Sequence, residues 1–148
     1  MKKVTYWLIL FCVTITLANC KKTTEPAASG DRAEVIMSTG WKLDRVTDAN
    51  RQTINQSQLN LATMALYGME IQFRANNMTR AVDRVTKQVL NGGTWYLVEN
   101  NQAVDIEINQ FKGRFPIVEL SRSKLILRNK VPVAGTETDA NLEFVPSL

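Results

Sequence analysis

Side chains that commonly do chemistry are scarce in this chain of 148 residues. It holds no histidine and two cysteines, Cys12 and Cys20. Without histidine there is no Ser-His-Asp or Cys-His nucleophile, no common zinc site and no general base poised near neutral pH. Carboxylates, lysines and tyrosines remain. Asp105 and Glu107 stand two residues apart, the spacing that puts both on one face of a strand. They read either as paired carboxylates or as half of a solvated, charge-paired face. Basic residues gather at Lys112, Arg114, Arg122, Lys124, Arg128 and Lys130, opposed only by Glu119. Such a stretch suits an anionic lipid, glycan or ligand, or an outer face with edge-protecting lysines.

Cys20 has the most informative surroundings. The chain starts with Lys2 and Lys3, runs through an apolar stretch at 4–17 and reaches Leu17-Ala18-Asn19-Cys20. A basic start, a short apolar run and small residues before a cut make a secretory signal. The run falls short of the roughly 20 residues that a membrane-spanning helix needs. A cysteine at the cut resembles the lipobox of bacterial lipoproteins. That resemblance implies that residues 1–19 are removed, that the Cys20 sulfur carries a diacylglycerol and that the new amino terminus is acylated. One acyl chain binds a membrane only marginally, whereas two or more hold it stably. Lys21 and Lys22 follow the cysteine, where other lipoproteins carry an aspartate or an acidic run as a sorting mark. The resemblance therefore favours the periplasmic face of the bacterial outer membrane over the cell surface.

Loss of the signal changes the balance of charge. It takes Lys2 and Lys3 with it, so 16 basic residues face 14 acidic ones and the net charge falls from +4 to +2. A nucleic-acid partner loses its electrostatic basis. Cys12 leaves and Cys20 is acylated, so no thiol remains for a disulfide. The mature fold must rest on its core, which a domain of this size can supply.

The elements that would position any site follow from periodicity. Residues 20–32 are small and polar, with Pro26 and Gly30, and read as a tether; 33–148 read as one domain. A short helix is expected at 32–39 with Asp31 as its cap. After Trp41 the period becomes two. Met69, Ile71 and Phe73 alternate with polar residues, as do Val104, Ile106 and Ile108, and Leu142 and Phe144. These are half-buried antiparallel strands. Further strands are expected at 41–47, 78–84, 94–99, 115–120 and 125–128. Asn76-Asn77, Asn91-Gly92-Gly93 and Asn100-Asn101 mark turns. A hairpin turning at Asn109-Gln110 sets Ile108 opposite Phe111, Ile106 opposite Gly113 and Val104 opposite Phe115. The same register sets Glu107 opposite Lys112 and Asp105 opposite Arg114. Residues 53–67 break the pattern as an insertion, with a helix expected within 57–66.

The fold class is thus mainly β, an antiparallel up-and-down meander of about eight strands. Gly40-Trp41-Lys42-Leu43, Gly93-Thr94-Trp95-Tyr96-Leu97, Phe115-Pro116-Ile117-Val118-Glu119-Leu120, Lys124-Leu125-Ile126-Leu127 and Leu142-Glu143-Phe144 follow in that order. In this the chain is similar to the small bacterial lipocalin-like lipoproteins. The resemblance implies a closed barrel, which removes open strand edges. It also implies that Trp41 packs at the closed end, against Arg128, and that the interior takes one small, partly apolar ligand. The lining would comprise Trp41, Phe73, Trp95, Ile106, Phe115 and Arg128. Arg128 faces the core if Ser121-Arg122 forms a two-residue turn, and faces outward if the turn has three residues. Non-catalytic ligand binding is the first functional expectation. The second is a structural or interaction module with a filled core, docking an envelope protein. Neither requires a cofactor or a metal.

Overall fold

Alternation of apolar and polar side chains closes this chain into a barrel. The computed structural model describes residues 29–109 and 111–147. Cys20, and with it the expected signal and anchor, lies outside them. Helix α1 (Ser29–Met37) leads into β1 (Gly40–Asp48). A segment with one 3₁₀ turn (Gln56–Gln58) and helix α2 (Leu61–Leu66) follows. Then come β2 (Met69–Arg74), β3 (Met78–Asp83), β4 (Val89–Val98), β5 (Ala103–Ile108), β6 (Phe111–Ser121), β7 (Lys124–Val133) and β8 (Thr136–Pro146). Each strand pairs antiparallel with the next, and β8 returns to β1, so the sheet has no free edge.

The β5–β6 hairpin has the register that its side chains dictate. Ile108 pairs Phe111, Ile106 pairs Gly113, Val104 pairs Phe115, Glu107 pairs Lys112 and Asp105 pairs Arg114. Other elements depart from expectation. Helix α1 begins at Ser29, which places Asp31 within its first turn instead of before it. Asn91-Gly92-Gly93 is not a turn but lies inside β4, and the chain reverses at 84–88 instead. Asp83 supplies that reversal, accepting backbone N–H bonds from Val85 and Thr86. Gly93 is needed because β4 and β5 approach so closely there that a side chain would overlap the Glu107 carbonyl. Strands β7 and β8 also run well past the expected 125–128 and 142–144.

Because the meander alternates direction, its two ends differ. At one end α1 lies beneath β2 and β6 and puts fully buried Ile36 into the core. Trp41 follows after one turn of chain, also fully buried, and its Nε1–H donates to the Ile36 carbonyl at 2.8 Å. That bond satisfies the indole as it leaves water. Residues 49–68 lie at the other end. Asn60 caps α2 by accepting from the Thr63 N–H. Between the ends, Leu43, Val46, Phe73, Val104, Phe115, Leu125, Leu127, Leu142 and Phe144 fill the barrel. Each such side chain contributes about 1.5–3 kcal/mol by leaving water.

Candidate functional site

The residues expected to line a central cavity meet one another instead. Phe73 and Trp95 pack edge to face with ring centroids 5.3 Å apart, and Phe111 stacks on Phe115 at 4.6 Å. The Trp95 indole donates to the Arg74 carbonyl at 2.9 Å, which pins it near the α1 end. The gap among Trp41, Phe73, Phe111, Leu125 and Phe144 leaves ≈ 0 Å³, no room even for one water. Trp41, Phe73, Trp95, Ile106 and Phe115 are therefore together on the barrel's inner side as expected, but as packing.

Arg128 departs from the expected lining. The hairpin turns at Arg122-Ser123, with Ser121 paired to Lys124, and β6 bulges between Ile117 and Glu119. Leu125 and Leu127 then point inward, and Arg128 is exposed, its Nε directed at Asn141. It does not meet Trp41, whose polar partner comes from α1. A bulge adds one residue to one strand only, so counting from the turn misplaces everything beyond it.

Open apolar volume exists at the other end. A recess of about 140 Å³ lies between α2 and the rims of β2–β6. Its walls include Ala62 and Leu66 of α2, Ala81, Leu90, Ile108 and Phe111, with Asn91 and Asn109 as the polar groups at hand. Phe111 belongs to the filled core, so the recess is floored by the packed interior and roofed by α2. Leu61, Val85, Val89 and Leu90 at this end are all more than half exposed. Arg84 ties the β3–β4 turn to the end of α2, donating through Nη1 to the Tyr67 carbonyl at 2.7 Å. Ile108 and Phe111 are legible in the sequence as hairpin partners and Asn91 as a turn residue, but none of them as part of a recess. The signal for it is the insertion at 53–67, whose helix proves to be the roof.

Two glutamates on the outer wall are buried. Glu143 accepts from Arg45 Nε at 3.0 Å and from Thr47 Oγ1 at 3.0 Å, with Lys124 Nζ at 3.6 Å. Glu70 accepts from Gln72 at 2.6 Å, from Ser147 Oγ at 2.7 Å and from Lys87 at 3.3 Å. Burial pushes both carboxyls up. Hydrogen bonds from Ser147, Gln72 and Lys87 outweigh it at Glu70, and Arg45 and Thr47 do so at Glu143. Both end below the ordinary glutamate value. Saturated with donors, they serve the seams of the barrel.

The Asp105–Glu107 pair also lies on the outer wall, and Asp105 is committed. Arg114 grips it with two parallel bonds, Nε to Oδ1 at 2.8 Å and Nη2 to Oδ2 at 2.9 Å. Its Nη1 reaches Glu99 at 3.0 Å. The Arg114 bonds hold the Asp105 carboxyl below its usual range. Of the expected basic stretch, Arg114 and Lys124 are thus paired with carboxylates.

Comparison with known proteins supports the architecture. No protein-family model matches the sequence, and no curated protein matches it. Among solved structures, the fold is similar to a crystal structure of a lipocalin-like protein from Bacteroides uniformis. The two share 12% sequence identity and a TM-score of 0.50, over 75% of this chain and 98% of that one. At that identity the likeness concerns the fold, a mainly β, closed, eight-stranded antiparallel meander.

Proposed function

We propose that the protein is a non-catalytic, lipid-anchored binding protein of the bacterial outer membrane, facing the periplasm. It takes the apolar part of a small molecule at the mouth of its barrel. The observation that carries this reading is the recess of about 140 Å³ under α2. An apolar cavity of about 150 Å³ takes a molecule the size of benzene. The recess thus accepts an aromatic ring or the end of a short alkyl chain. Asn91 and Asn109 offer hydrogen bonds to a polar group left outside it. The anchor rests on the lipobox resemblance at Cys20.

Toluene is a direct probe, observed by ligand NMR with the detergent-solubilised chain. So few atoms support a Kd of ~1 mM. Ala62→Trp should fill the recess from its roof and abolish binding. Equal binding by wild type and Ala62→Trp would place the toluene elsewhere and sink the proposal.

The filled barrel axis favours a second reading, an interaction module of the envelope. Leu61, Val85, Val89 and Leu90 then form its contact surface instead of a ligand's entrance. Absence of toluene binding, together with self-association or partner capture lost in Leu61→Ser, would select it.

A further inference from the structure

A broad, open concavity lies on the outer wall of β4, β5 and β6, away from the mouth. It holds about 700 Å³ and is lined by Thr94, Tyr96, Asp105, Glu107, Lys112 and Arg114. Strand register arranges these side chains in two rows. Tyr96, Asp105 and Arg114 stand side by side across the sheet, and so do Thr94, Glu107 and Lys112. Between the rows lie Ile106 and Gly113, whose side-chain positions face the core, so the floor of the concavity there is backbone.

From this arrangement we infer a saccharide-binding groove. The chemistry of the lining excludes other classes. Two carboxylates and two cations cancel, so neither a polyanion nor a cationic ligand is favoured. All three strands are bonded on both sides, so a peptide cannot add as a further strand. An alkyl chain would strip water from four charged groups without replacing it. A neutral, polyhydroxylated ring suits the groove instead. Tyr96 is half exposed and offers a flat apolar surface for the ring's C–H face. Carboxylate acceptors alternate with ammonium and guanidinium donors at the spacing of adjacent strands, and hydroxyls can serve either partner. Arg114 is pre-organised. Asp105 and Glu99 engage three of its five N–H groups and fix its plane, which leaves two for a ligand. The volume lies in the range of small-molecule sites and accommodates a short oligosaccharide.

The test is saturation-transfer NMR on the detergent-solubilised chain with cellotriose, chitotriose and maltotriose. At least one should receive saturation and bind with a Kd of ~1 mM. Tyr96→Ala should weaken it about tenfold, as loss of an aromatic anchor does. Glu107→Gln and Lys112→Gln should each weaken it about threefold. All three variants change outer side chains, so thermal unfolding and toluene binding at the mouth should stay as in wild type. A failure here is thereby distinct from a failure of the mouth site. Absence of binding for all three trisaccharides, or undiminished binding by Tyr96→Ala, would overturn the assignment.

Discussion

Gly40 shows how one residue type follows from its neighbour across the sheet. Its outer face is occupied by the Glu70 side chain, and a Cβ there would overlap the carboxyl group. Glycine therefore precedes Trp41 so that a buried carboxylate can lie against the start of β1. The Gly40 carbonyl meanwhile accepts from the Ser147 N–H at 2.7 Å, and the Ser147 hydroxyl bonds Glu70. One glycine thus lets the barrel's first strand, second strand and last residues meet. Gly40→Ala must displace the carboxylate from its donors. We expect a loss of about 1–3 kcal/mol, read from urea denaturation with an unchanged slope. Equal midpoints would mean that Glu70 swings aside freely.

At the scale of elements, legibility in the sequence tracked how far each segment obeys strict alternation. The β5–β6 register was readable because apolar and charged pairs both demanded it. Three features were not readable, each for a physical reason. Asn91-Gly92-Gly93 has a turn's composition, but the glycine answers a close approach of backbones inside β4. The bulge in β6 carries no compositional mark, so Arg128 could not be placed. The chain was long enough to fold back over the mouth, but that α2 would roof a recess depended on contacts remote in sequence. Helix α2 is short, six residues, so its cap matters more than its propensity. Asn60→Ala removes the acceptor for the Thr63 N–H and should cost about 1 kcal/mol, confined to the roof. Hydrogen exchange checks this. Amides at Met64 and Tyr67 should exchange roughly fivefold faster, while those of β7 and β8 keep wild-type protection. Uniform acceleration would instead show that the roof and barrel unfold as one unit.

For the whole molecule, closure rests unequally on its two β1 seams. β1 pairs β8 from Trp41 to Asp48, but it pairs β2 only from Gly40 to Lys42. A buried glutamate sits at each seam, Glu143 with Arg45 on the long one and Glu70 with Ser147 on the short one. Both are held below the ordinary glutamate value of 4.5. A carboxyl with a lowered folded pKa adds stability that is complete above its unfolded pKa. That stability is lost as pH falls through the folded value. The midpoint temperature should therefore stay level from pH 7 to about 5.5 and decline below about 4.5. Protonation removes the negative charge that faces Arg45, Lys124 and Lys87 and weakens the charge-assisted bonds that Thr47 and Ser147 donate. Glu70→Gln/Glu143→Gln should melt at lower temperature at pH 7, yet show a shallower decline in acid. Asp83 and Asp105, also lowered, keep part of that decline in the variant. Parallel pH profiles for the two proteins would mean that acid opens the barrel elsewhere than at its seams. A shallower profile, with exchange in acid rising first at β1 and β2, would locate the opening at the three-residue seam.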